Sequence, residues 1–183
     1  MQTVMIYLIG LGGVGKYTIA QHIAHHGYKV IDNHLINNPI LSLIDLDGTT
    51  PISPTAWFAI SRIRRAVFDF IMLDYEKNYV LTNELLETDS GLYERVMEIA
   101  DARESLFVPV KLTIVKAEHI KRVTSPGRAE RFKSTSTEDA RLDQQLISIS
   151  HPHLLELDVT NLTAQEAAEK ILTHTEKIQK LNK

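Results

Sequence analysis

The apolar run Val4 to Ile9 leads straight into Gly10-Leu11-Gly12-Gly13-Val14-Gly15-Lys16-Tyr17-Thr18, and no other stretch constrains the fold as strongly. A continuous apolar run that stops at glycine reads as a strand buried on both faces, at the centre of a parallel sheet. The residues after the loop read as a helix over Lys16–His26, with Ile19, Ala20, Ile23 and Ala24 on one side and Gly27 as its stop. A glycine-rich turn between such a strand and such a helix lets successive backbone N–H groups point inward at phosphate oxygens. The helix N-terminus adds partial positive charge, and Lys16 reaches the β and γ phosphates of a nucleoside triphosphate. Gly10, Gly12, Gly13, Val14, Gly15, Lys16, Tyr17 and Thr18 are the expected nucleotide contacts.

The rest of the chain alternates in the same way. Short apolar strands are expected at Tyr28–Ile31, Tyr79–Thr82, Leu106–Val115 and Leu154–Leu157. Helices are expected within His34–Leu46, from the Ser53-Pro54 cap to about Lys77, and at Ser90–Arg103, His119–Val123, Asp139–Ser150 and Ala164–Leu181. In the long helix after Ser53, Trp57, Ile60, Val67 and Ile71 form the buried side, while Arg62, Arg65 and Asp69 share a polar one. Five strands separated by helices predict an α/β fold: a three-layer, mostly parallel sheet with helices on both faces. The polar, basic stretch 124–138 lacks core periodicity and reads as a small lid on a single domain covering 1–183.

Composition narrows the function classes. The chain has 183 residues, 44% hydrophobic and 23% charged, with a net charge of -3, as in an ordinary globular protein. That charge provides no general attraction to nucleic acid or anionic membranes. The absence of cysteine removes thiolate catalysis, disulfides and Cys-ligated zinc. The apolar run at the N-terminus is too short, and lacks the basic flank, for a signal sequence, so a cytoplasmic protein is expected.

Phosphoryl transfer requires positioning and charge neutralisation, which directs attention to basic residues near the lid and a carboxylate near the acceptor. Arg122, Arg128, Arg131 and Lys133 bracket Ser125-Pro126-Gly127. Asp32 ends the second strand at the sheet edge where parallel folds contact ligands, and it also suits an Asx cap on the next helix. His34 beside it is a candidate proton carrier or donor. Arg62 and Arg65, three apart, could hold an anionic acceptor, or Arg65 could simply pair with Asp69. Asn83 and Glu84 follow the third strand. His22 and His26 lie four apart without a third ligand of suitable spacing, so they read as surface histidines.

The loop and the element order resemble the P-loop small-molecule kinases, the nucleoside monophosphate kinase and shikimate kinase superfamily. Tyr17 stands where a Ser or Thr usually ligates Mg²⁺, and Thr18 follows, as in adenylate kinases. The resemblance implies Mg-ATP as the phosphate donor, with Thr18 nearest the metal. It implies Arg122 near adenine and phosphate, Arg128 and Arg131 closing over the transferred group, and backbone near Asp158–Leu162 against adenine. It also implies an aspartate, here Asp32, that orients or deprotonates an acceptor hydroxyl, with His34, Arg62, Arg65 and Asn83 beside the acceptor. Asp32-Asn33-His34 and Thr82-Asn83-Glu84 depart from the Asp-x-Asp and Gly-Gly-Gly of shikimate kinases, which argues against shikimate. The expected partners are a nucleoside triphosphate and a small molecule, with no nucleic acid or membrane, in a monomer or homodimer. A nucleotide-binding regulatory protein with little or no catalysis is the alternative.

Overall fold

The computed structural model describes residues 2–45, 51–125 and 144–181, with only the backbone of Thr88. Strands β1 (Val4–Ile9), β2 (Tyr28–Asp32), β3 (Asn78–Asn83), β4 (Leu106–Thr113) and β5 (Leu155–Asp158) form one sheet in the order β2-β3-β1-β4-β5. Every pairing is parallel. The register sets Ile9 beside Asn83 and Lys111, and Asp32 beside Thr82, so the C-terminal strand ends form one rim. The chain leaves β1 toward β2 and β3, then crosses to β4 and β5 on the other side. In parallel sheets, ligands bind where such crossovers diverge, here at the end of β1.

Alternation along β1 builds both faces of the core. Val4, Ile6 and Leu8 pack with Ile19, Ala20 and Ile23 of α1 (Lys16–Ala24) and with Ala167, Ala168 and Ile171 of α6 (Ala164–Leu181). Met5, Tyr7 and Ile9 pack on the opposite face with Phe68 and Ile71 of α3 (Pro54–Leu73) and with Tyr93, Val96 and Ile99 of α4 (Ser90–Ala102). A smaller cluster of Ile36, Leu41 and Ile60 joins α2 (Asn33–Leu41) to α3. Truncating one of these fully buried side chains to alanine removes about 2–5 kcal/mol. Helix α5 (Lys116–Val123) completes the set. Among the described residues, no helix is long and apolar enough to cross a membrane.

Three expectations are corrected. Helix α3 stops at Leu73 and not near Lys77, because buried Arg103 takes the carbonyls of Ile71 (2.9 Å) and Lys77 (2.7 Å). Asp74 then accepts from the Tyr79 hydroxyl (2.7 Å) and the Glu76 amide. Trp57 is 46% exposed and does not join the buried side of α3, which is Ala56, Ile60, Phe68 and Ile71. Residues 144–150 are not helical: Leu146 bridges to Leu86, the Ile147 amide donates to Leu85 O, and buried Ile147 covers the α4 face of the core. Local propensity yields there to an open apolar groove. The Asp47-Gly48 turn and the 124–138 lid from Pro126 onward, with Arg128 and Arg131, lie outside the described residues.

Candidate active site

The glycine-rich loop runs from the end of β1 to the start of α1. At Gly10 a Cβ would lie 2.9 Å from Val14 Cγ2 and 3.1 Å from Leu112 O, so only glycine permits this approach to β4. Gly15 caps α1 with φ 104°, a left-handed conformation that side chains resist. These positions curl the backbone into a cradle at a helix N-terminus, a site suited to anionic phosphate. Lys16 Nζ donates to Gly10 O (2.6 Å) and Leu11 O (2.9 Å), holding the ammonium against its own loop. Tyr17 accepts from Gln21 Nε2 (3.0 Å) along the outside of α1, and Thr18 is exposed in the first turn.

Helix α5 secures the loop from behind. His119 is buried, and its Nε2 donates to Gly12 O at 2.6 Å, which fixes the proton on that nitrogen because a carbonyl can only accept. Arg122 donates to Val14 O (3.3 Å), Val159 O (2.9 Å) and Thr160 O (3.1 Å), and its Nε to Glu118 Oε1 (2.9 Å). The guanidinium thus links the phosphate loop to the turn after β5. The Arg122 hydrogen bond, with Lys121 nearby, holds the Glu118 carboxyl below its ordinary range. From the β3 side, Gly10 N donates to Asn83 O (3.2 Å), and Asn83 Oδ1 accepts from Tyr7 OH (3.1 Å). Burial raises the Tyr7 phenol far above its usual range, so it remains a donor.

Asn83, expected beside the acceptor, is therefore buried and engaged in fixing the start of the loop. Glu84 follows it, and a Cβ on Gly12 would lie 3.5 Å from Glu84 Oε2, so this carboxylate faces the cradle. Its Oε1 is buried without a hydrogen-bond partner among the described residues. Such an atom costs about 1–3 kcal/mol unless something satisfies it, and a hydrated Mg²⁺ or a hydroxyl donor would. The cradle and this carboxylate fit a Mg-nucleotide.

Asp32 is buried and caps α2: His34 N donates to its Oδ1 (2.9 Å) and Thr82 Oγ1 to its Oδ2 (2.7 Å). The Asx cap is thus realised. His34 lies half-buried in the first turn of the same helix. Arg62 and Arg65 do not turn toward this rim. Both are exposed on the outer face of α3, where Arg65 Nε sits 3.9 Å from Asp69. The inward arginine is Arg64, whose Nη2 donates to Asn33 Oδ1 (2.9 Å) and Asn37 Oδ1 (3.1 Å). Its Nε is buried without a partner among the described residues, and desolvation lowers its pKa. Asn38 Oδ1 nearby is in the same condition. A cleft of about 470 Å³ opens beside Arg64, between α3 and α4.

Sequence reasoning passed over Arg64 and His119, yet each left a signal. Arg64 stands four residues after Ile60 and four before Phe68, a charge inside an apolar stripe. His119 stands four before buried Val123 on a short helix. His22 and His26 lie near the end of α1, and the described residues contain no cluster of three potential metal ligands.

No protein-family model matches the chain, and no curated protein matches it. Solved structures do. A gluconokinase from Sinorhizobium meliloti is 15% identical with a TM-score of 0.64, over 96% of this chain and 93% of that one. The APS kinase of Mycobacterium tuberculosis, in complex with AMPPNP and APS, is 13% identical with a TM-score of 0.61, over 96% and 98%. The thymidylate kinase of Candida albicans is 14% identical with a TM-score of 0.59, over 97% and 93%. The chain shares the fold of these kinases, a five-stranded parallel sheet flanked by helices. Identities this low establish the architecture and leave the reaction to the site.

Proposed function

We propose that the protein is an ATP-dependent phosphotransferase acting on a small hydroxyl or phosphate acceptor. The observation that carries this reading is the pairing of a phosphate cradle with a carboxylate of unfilled hydrogen-bonding capacity facing it across Gly12. The loop amides and Lys16 bind the triphosphate, with Lys16 leaving the carbonyls of Gly10 and Leu11 for phosphate oxygens. Bound Mg²⁺ would supply charge neutralisation on the triphosphate, held near Glu84 and Thr18. Glu84 orients its water shell or the attacking hydroxyl, and exposed Thr18 is an adjacent contact. Asp32 keeps the start of α2 aligned and presents its remaining lone pairs to the acceptor hydroxyl. Arg64 holds the acceptor, a role first suggested by its uncommitted Nε.

Arg128 and Arg131 join this scheme on sequence grounds as the groups that neutralise charge on the transferred phosphoryl. Arg122 is a positioning residue, since its donors hold the loop and the turn where adenine is expected. A cytoplasmic location and a single domain complete the reading.

The replacement of a loop hydroxyl by Tyr17 favours a second reading, a nucleotide-binding regulatory protein. ADP release decides between them. The protein with Mg-ATP is offered hydroxylated metabolites, sugar acids, nucleosides and nucleoside monophosphates. An acceptor-dependent rise in ADP, abolished by Lys16→Ala, is expected. ATP-induced thermal stabilisation without turnover for any acceptor would establish the regulatory reading, and stabilisation retained in Lys16→Ala would defeat both.

A further inference from the structure

Helix α3 carries an outer face that, among the described residues, only Arg95 of α4 approaches, at Asp69. Along it run Phe58, Arg62, Arg65, Ala66, Asp69 and Leu73. Phe58 is 63% and Leu73 70% exposed. The order of these residues is self-complementary. Reversing the helix about the midpoint between Arg65 and Ala66 exchanges Phe58 with Leu73 and Arg62 with Asp69. Apolar residues thus meet apolar ones, a cation meets an anion, and the small Ala66 lies at the crossing point. Asp69 is available for such a contact. Its carboxylate is half-exposed, and its present neighbours, Arg65 and Arg95, both lie 3.9 Å away.

We infer that this face binds a second copy of the chain, through antiparallel α3–α3 pairing about a two-fold axis. In an isologous interface every contact occurs twice, so the two Phe58–Leu73 contacts flank two Arg62–Asp69 ion pairs. A surface built for a different protein needs no such match between its own halves. A basic N-terminal half and an acidic C-terminal half favour the antiparallel arrangement and repel the parallel one. One helix pair makes a small interface, at the weak end of specific contacts. Arg64 itself faces the other side of α3, while Arg65 and Asp69 border the cleft beside it.

Sedimentation velocity over a concentration series tests it. Wild type is expected to dimerise. Arg62→Asp and Asp69→Arg each place like charges opposite one another twice, so each variant alone is weakened at least about tenfold. Mixed in equal amounts, the two variants restore opposite charges at both contacts and are expected to form a heterodimer near wild-type affinity. That recombination also proves that both variants are folded. Leu73→Lys is expected to give monomer, whereas Arg95→Ala, which alters only a contact within the chain, leaves the dimer intact. A wild-type chain monomeric throughout would overturn the pairing and leave the face to another partner. A dimer indifferent to both reversals, or two monomeric variants that fail to recombine, would also overturn it.

Discussion

Arg122 and Arg64 are both partly buried, and both reach residues at the C-terminal rim of the sheet, but they are satisfied to different degrees. Arg122 uses Nε, Nη1 and Nη2 in bonds to Glu118, Val14, Val159 and Thr160. Arg64 uses only Nη2, and its Nε is buried without a partner among the described residues. The same contrast extends around each. On the donor side, His119, Tyr7 and Asn83 have matched partners that fix the loop. Asn38 Oδ1 and Glu84 Oε1 share the condition of Arg64. Native interiors leave few polar atoms unpaired, and those that remain call for an explanation. The loop side is closed by its own hydrogen bonds, while the side around Arg64 and Glu84 keeps buried polar atoms without partners among the described residues.

Replacing the satisfied arginine is the most damaging test. Arg122→Ala removes donors from Val14 O, Val159 O and Thr160 O and the closest partner of Glu118, and should lower unfolding stability by about 3 kcal/mol. For a chain of this size that is a fall in Tm of roughly 6–12 °C. Arg64→Met should cost less, about 1 kcal/mol, because loss of the donor to Asn33 and Asn37 is partly offset by removal of a poorly satisfied charge. The same variant should reduce acceptor-dependent kcat/KM about 100-fold, near 2.7 kcal/mol, with nucleotide affinity retained. Equal losses of stability in the two variants would erase the distinction between the sides.

This division also explains how much the sequence reveals. The cradle is legible because its requirements are local: glycines at Gly10 and Gly15, a lysine, an apolar strand before and a helix after. The order of strands and helices follows from periodicity for the same reason. The contact of Arg64 with Asn33 and Asn37 joins segments distant in sequence, and only the packing of α3 on α2 brings them together. Arg62 and Arg65 attract attention as a pair by spacing, but spacing does not identify which helix face meets the rim. Packing does, and it selects Arg64, which shares the side of Ile60 and Phe68. Residues 144–150 carry a helix-like pattern, and only tertiary contact reveals the groove that Ile147 fills.

His119 measures how firmly the donor side depends on its fixed geometry. His119→Ala leaves Gly12 O without its donor and should cost about 1.5 kcal/mol of stability. If the bond also shapes the cradle, affinity for a fluorescent ATP analogue should fall about tenfold, near 1.4 kcal/mol. His119→Gln, which retains a donor, should recover part of that affinity. A loss of stability with unchanged affinity would make His119 a packing residue and the loop self-sufficient.

The smallest effect concerns acid. Arg122 and Lys121 hold the Glu118 carboxyl below its ordinary value of 4.5, so the folded state keeps it ionised to lower pH than the unfolded chain does. The resulting stabilisation is complete above about pH 4.5 and is lost as pH falls through the folded value. Asp158 behaves alike, held below 3.8 by hydrogen bonds from Thr160. Glu118→Gln lacks this contribution at every pH. Urea denaturation should therefore show wild type more stable than the variant at pH 7, with the gap narrowing below pH 4.5 and closing on further acidification. The Arg122→Ala background should remove most of the gap at neutral pH, because the first cause of the shift is gone. A gap that persists unchanged into strong acid would mean that Glu118 stabilises α5 by packing and not by charge, and that the donor side relies on the carbonyl bonds of Arg122 alone.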